Sequence, residues 1–265
     1  MNYVWKEWKE QSRSKGIWLA VSMIILISFF LLLQSRSFPS EQGFQVFLMS
    51  LYDMTVFFLP LLSLFVASFA IMQEKEQKTL FILLTKKESY RTFLLKKSLA
   101  VQCVTLLLFI GWYFLFALFV KFFLSFDPGA FLTFLVTTLS LLVIFTQLGL
   151  LLGSVCTTRM QLIGANIFVW FFFLFLADII FLYSLPGVSK ENVTLFSVFY
   201  FLDPLHTLRF YLETSLDLFP LDHLSRLMED MLWLSPAKFL LLDLLIWVVL
   251  SFEMAVLLHS KGERA

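Results

Sequence analysis

The chain has 265 residues, of which 60% are hydrophobic and 18% aromatic, with 34 Phe. Soluble domains are roughly 45–50% apolar, so this composition excludes a soluble globular protein and points to a polytopic membrane protein. The formal net charge of +1 arises from charges segregated along the chain rather than from a basic domain, which argues against a nucleic-acid partner.

Residues 1–15, MNYVWKEWKEQSRSK, place Tyr3, Val4, Trp5 and Trp8 at near-helical spacing among Lys6, Lys9, Glu10 and Arg13. Such a pattern fits an amphipathic helix in the membrane interface, with Trp at headgroup level. A basic tail that only fixes topology is the alternative. Six apolar segments follow, at about 17–33, 46–72, 99–123, 131–155, 162–185 and 238–258. Each approaches or exceeds the roughly 20 residues that a helix needs to cross a bilayer core. The first is followed by QSRSFPSEQG, which lacks an Ala-x-Ala-like cleavage site, and is read as an uncleaved span. Pro60 is expected to kink the second.

Of the 20 Lys and Arg, fourteen fall in the N-terminal tail, the second-to-third and fourth-to-fifth connections and the C-terminal tail. The positive-inside rule therefore predicts cytoplasmic N- and C-termini in a cell membrane, the inner membrane in a bacterium. Residues 186–237 become the long external loop, with seven acids against three bases from Pro186 to Pro236. Asp203, His206, Arg209, Glu213 and Asp217 interrupt its apolar stretch. Charges at a bilayer centre cost roughly 2.5–3.5 kcal/mol each, so this stretch is read as a pair of amphipathic helices on or dipping into the outer interface.

The connection at 73–98 holds the densest charge, QEKEQKTLFILLTKKESYRTFLLKK over Gln73–Lys97. Leu80, Leu83 and Leu84 fall at i, i+3 and i+4 and share a helical face, and Phe93, Leu94 and Leu95 form a second apolar cluster. A loop obeying the positive-inside rule accounts for the bases but not the leucines. Two readings account for both: an amphipathic helix pressed on the membrane, or a short helix with an apolar anchor ringed by charge that plugs into a cytosolic partner.

Ionisable residues within spans are functional candidates by default. Asp178, in the outer half of the fifth span, could line a substrate path, bond across a subunit interface or sit at the headgroups. Asp53, Asp243 and Glu253 are expected at exposed, interfacial positions near span ends. Gly149 and Gly153 form a small-xxx-small surface for close helix packing, within or between subunits. Cys103 and Cys156 form no motif and read as small apolar residues. The chain has no P-loop, no His-Glu-x-x-His and no Gly-x-Ser-x-Gly, so neither catalytic residues nor a bound cofactor are expected. His206, His223, Met228 and Met231 have copper-compatible side chains but not the spacing of a metal site, and no metal is expected.

The run Glu74-Lys75-Glu76-Gln77-Lys78-Thr79-Leu80-Phe81-Ile82-Leu83-Leu84, continuing through Ser89, Phe93, Leu94 and Leu95 to Lys97, resembles the coupling segment after the second span of type 2 ABC transporter permeases. It departs from that pattern at Lys78 (Gly), Phe81 (Glu) and Lys87 (Pro). LGLLLGSVCTTRMQLIGANIFVWFF, at 148–172, is similar to the family's short Arg-containing turn between spans four and five. LDPLHTLRF, at 202–210, is similar to an [DN]-P-x-x-x-x-R motif of the NosY-like subgroup, which serves maturation of nitrous oxide reductase.

The resemblance implies an all-α membrane protein: six transmembrane helices, an N-terminal interfacial helix, a cytoplasmic coupling helix and a long external loop. It implies a permease subunit whose Glu74, Glu76, Thr79, Leu80, Leu83 and Leu84 dock on a separate cytosolic P-loop ATPase that binds ATP and Mg. A second permease chain, as homo- or heterodimer, completes the pathway. Asp203, Pro204 and Arg209 would meet an extracytoplasmic accessory protein serving the copper centre of nitrous oxide reductase. Export of a drug, peptide or lipid is the competing assignment within the family. Outside it stand an ion-coupled secondary transporter, which would need an essential deep carboxylate, and a non-transporting membrane anchor.

Overall fold

The computed structural model describes residues 3–35, 43–77, 89–219 and 231–262, and every described element is helical. In chain order these are α1 (Tyr3–Arg13), α2 (Lys15–Ser35), α3 (Gly43–Glu76), α4 (Tyr90–Phe123), α5 (Pro128–Val155), α6 (Arg159–Gly187), α7 (Val193–Tyr200), α8 (Pro204–Ser215) and α9 (Pro236–Gly262). Among the described residues five helices are long and apolar enough to cross a membrane: α3, α4, α5, α6 and α9 over Pro236–Leu258. The first expected span lies in α2, whose described apolar part is the shorter Val21–Ser35.

Sequence chemistry sets the helix ends. Asp127 caps α5, its carboxylate accepting from the Gly129 N–H at 2.9 Å, and Pro128 supplies the pre-set first turn. Ser89 and Thr158 cap α4 and α6 by accepting from Thr92 N and Gln161 N. The Ser89 cap starts α4 well before the expected span at 99, so Arg91, Lys96 and Lys97 are helical residues rather than loop charges. Phe93 and Leu94 explain the early start, because both are fully buried against Ala67 and Ile71 of α3 and Leu150 of α5.

Pro60 interrupts the ladder of α3 without ending the helix. One turn earlier, the Phe57 carbonyl accepts from the Trp170 indole at 2.9 Å, the kind of neighbouring-helix support that lets a span tolerate proline. Within α6, Phe172–Leu176 form a π-helical turn.

α5 is the axis of the bundle, with 72% of its span buried, and it packs most closely on α3 and α9. The glycines make the first contact possible. A methyl group on Gly149 would stand 2.7 Å from the Leu64 carbonyl oxygen, and one on Gly153 would stand 2.7 Å from that of Ser68. Both therefore bring α5 against α3 of the same chain. Buried amides fix the neighbours: Gln147 of α5 accepts from Ser98 and Gln102 of α4, and Asn166 of α6 donates to Ser68 of α3 at 2.8 Å. α6 and α9 leave most of their apolar surface uncovered, each with 22% of its span buried.

The long connection after α6 forms two helices, α7 and α8. They bury Val193, Leu208 and Leu212, and α8 lies on α5 and α9.

Candidate functional site

The ends of α3 and α4 that flank residues 78–88 are tied to four other helices by charge. Glu74 of α3 and Glu7 of α1 both pair with Lys97 of α4, and Lys6 of α1 also pairs with Glu74. This group is buried, with Lys97 0%, Glu7 1% and Glu74 3% exposed. Burial pushes the Lys6 ammonium down, but the hydrogen bond and charge of Glu74 outweigh it and hold Lys6 above its ordinary value of 10.5.

Three further contacts complete the collar. Lys75 donates to the carbonyls of Ser154 at 2.7 Å and Cys156 at 3.0 Å, at the C-terminus of α5 where a cation is favoured. Glu76 pairs with Arg159 at the start of α6 through two nitrogens of the guanidinium. Arg91 pairs with Glu253 of α9. The flanks of residues 78–88 are thus joined to α1, α6 and α9 by paired charges and to α5 by lysine–carbonyl hydrogen bonds.

Glu74 differs from its expected place. It was read as a charge on a docking rim, yet it is buried and committed to this chain's own lysines, because α1 folds across the start of α4 and covers it. Glu76 is exposed but engaged by Arg159. Thr79, Leu80, Leu83 and Leu84 lie outside the described residues.

At the opposite end, Asp203 caps α8 by accepting from Leu205 N at 3.1 Å through one carboxylate oxygen. Its other oxygen meets His206 Nδ1 at 2.7 Å, while His206 Nε2 faces Asp178 of α6 at 3.2 Å. Among the described residues these three form a group that could hold a metal ion, with ligand atoms within 4.8 Å of one another. Each imidazole nitrogen already faces a carboxylate, so as built the group is a polar contact from α6 to α8 whose one hydrogen bond is between His206 and Asp203. Tyr200 packs on the ring at 4.4 Å, and burial pushes its hydroxyl up to about 12. His223 and Met228 lie outside the described residues, and Met231 offers its carbonyl to Ser197.

Pro204 fills the first turn of α8. Arg209 bonds Glu213 at 2.9 Å and lies 3.8 Å from Asp53 of α3. Asp178, Asp53, His206 and Arg209 line an open cavity of about 640 Å³ between α3, α6 and α8. Asp243 corrects an expectation of interfacial exposure. It is 2% exposed in α9, and neither carboxylate oxygen has a hydrogen-bond partner among the described residues. α8 covers this stretch of α9, and the nearby Trp247 indole donates instead to the Leu202 carbonyl at 2.9 Å.

A family model described as ABC-2 family transporter protein matches residues 1–264. The chain belongs to the ABC-2 transporter family. No curated protein gives a significant match. Membership makes the chain a multi-pass membrane component of an ABC transporter, a role that implies a separate ATPase subunit.

Within that family assignment, the residue that sequence reasoning missed is Lys97. The sequence places it only as the last residue of the coupling-segment resemblance, with no sign of its burial. The signal that could have found it is the apolar helical frame around it, Phe93, Leu94, Ala100 and Val101, which makes a lysine inside it a buried charge needing partners.

Proposed function

We propose that the chain is the permease subunit of an ATP-driven ABC transporter, and that residues 78–88 form its coupling element. In this reading α2 supplies a sixth span, both termini are cytoplasmic, and α1 lies in the inner interface. Thr79, Leu80, Leu83 and Leu84 dock on a cytosolic P-loop ATPase that binds ATP and Mg. The uncovered faces of α6 and α9 leave room for a second permease chain. The observation that carries the reading is the ionic collar: both flanks of the segment are paired to α1, α5, α6 and α9, as a segment that transmits force requires.

Affinity purification of the tagged chain from native membranes, with partners identified by mass, tests the reading. A stoichiometric P-loop ATPase is expected, and Leu80→Asp with Leu84→Asp should abolish its association while membrane insertion persists. A chain that purifies alone and moves solute without ATP would overturn it.

For cargo, the resemblance of Leu202–Phe210 favours assembly of the copper centre of nitrous oxide reductase over export of a drug, peptide or lipid. Asp203, Pro204 and Arg209 already serve as cap, first turn and ion pair in α8, so contact with an extracytoplasmic partner would come from the surface these residues shape. Co-purification of such a partner is the discriminating result.

A further inference from the structure

Among the described residues, Asp243 is the acid whose two carboxylate oxygens are both buried and both without a hydrogen-bond partner. It lies about two turns into α9, roughly 10 Å from Pro236 at the rise of an α-helix. The elements packed around it give an anion no counter-charge. α5, against which α9 packs most closely, carries no titratable side chain from Pro128 to Val155. From α4, Arg91 reaches α9 about three turns further on and pairs with Glu253 there. From α6, Phe173 packs edge-on against Trp247 and brings no charge. On α9 itself Lys238 is exposed.

α8 brings the charge that does act on Asp243, and it is of the wrong sign: Asp203 repels it. The other charged groups of α8 are engaged, His206 by Asp203 and Asp178, and Arg209 by Glu213 and Asp53. The Trp247 indole, one turn along, supports an anion only weakly, because its N–H donates to the Leu202 carbonyl at 2.9 Å. A bare buried carboxylate loses its solvation outright, whereas a carboxylic acid loses only hydrogen bonds. Asp203 accepts from Leu205 N and meets His206, so of these two acids it is the better placed to carry a charge. The proton then belongs on Asp243, beneath α8.

We propose that Asp243 is a proton-binding site, occupied while α8 lies on α9 and emptied when α8 lifts. Loss of the proton leaves Asp203 and Asp243 as two like charges across the α8–α9 contact. α8 also carries His206 and Arg209 into the cavity beside Asp53, so occupancy of this site governs one wall of that cavity. The site depends only on the packing of α8 on α9, so its failure and the failure of the ATPase reading are separate results.

Infrared spectroscopy of the full chain in a maltoside detergent, which has no ester carbonyl, tests the protonation. At neutral pH the parent should show the carbonyl band of a carboxylic acid. Carbon-13 in the aspartate side chains should shift that band, which assigns it without any variant, and Asp243→Asn should remove it. Hydrogen exchange tests the coupling. A closed state that holds the proton and an open state that releases it make opening more favourable as pH rises, by up to about tenfold per pH unit. The protection factors of α8 should fall accordingly in the parent. In Asp243→Asn, which is neutral at every pH, only the share owed to His206 should remain. Absence of an aspartic acid band at neutral pH overturns the proposal, as does α8 protection that falls with pH equally in the parent and in Asp243→Asn.

Discussion

At the α1 end, Lys97 is fully buried and joined to Glu7 and Glu74, 90 and 23 residues away in sequence. At the other end, His206 meets Asp203 three residues before it and an Asp178 whose side chain is 62% exposed. The chemistry is similar and the physics is not. A buried pair resists separation because the survivor is left as an uncompensated charge in a low dielectric. A half-exposed pair is replaced by water at little cost. One end therefore holds α1, α3 and α4 together through a buried network, whereas at the other the Asp178–His206 contact adds little to the hold between α6 and α8.

The most damaging way to break this comparison is Lys97→Met. It strands the buried Glu7 carboxylate and takes one partner from Glu74, which keeps Lys6, and should cost about 3–5 kcal/mol, read as a large fall in the unfolding midpoint of the detergent-solubilised chain. Adding Glu7→Gln and Glu74→Gln to the same chain should recover most of that loss. A single variant as stable as the parent would show that the collar holds nothing.

Next is Gly153→Ala, whose added methyl meets the Ser68 carbonyl oxygen at 2.7 Å and Ile71 Cβ at 2.9 Å. Overpacking of this kind costs about 1–3 kcal/mol, and the same melt should show it. At the far end, Asp203→Ala removes the cap of α8 and one partner of His206. About 1 kcal/mol is expected, with faster hydrogen exchange confined to α8. Asp178→Asn should change stability by no more than about 0.5 kcal/mol and leave transport intact. Abolished transport with normal assembly would instead revive the ion-coupled alternative.

The smallest effect is that of pH on the collar. Lys6 is held above its ordinary 10.5, so its contribution is fully present below that value and lost as pH rises through the raised one. Stability from this pair should be flat across neutral pH and fall only in strong alkali. A fall near neutrality in the parent that is absent from Lys6→Met would contradict the assignment.

Much of the fold was legible because lipid-facing helices write their length and apolarity directly into the sequence. α3, α5 and α9 stand close to their apolar segments, and the Trp-bearing residues 3–13 are helical with Trp5 and Trp8 outward. The misreadings share a cause: polar residues buried by partners remote in sequence. Glu74, Lys97 and Asp243 look like interfacial charges when only their neighbours in the chain are considered. Nothing local announces that α1 lies over α4 or that α8 lies over α9. Gly149 and Gly153 were legible as a packing surface, but their partner helix was not, since small residues record that something comes close without recording what.

The two glycines have a mechanical consequence. Because α5 meets α3 backbone to backbone at Gly149 and Gly153, no compliant side chain separates the two helices there to absorb a displacement. Over Leu64–Ile71 the two helices are held as one body. Lys75 bolts its lower corner by gripping the end of α5. A load applied where α3 ends would pass directly into the C-terminal half of α5, and Pro60, which interrupts the α3 ladder between Leu64 and Asp53, would set how much of it reaches the cavity of Asp53 and Arg209.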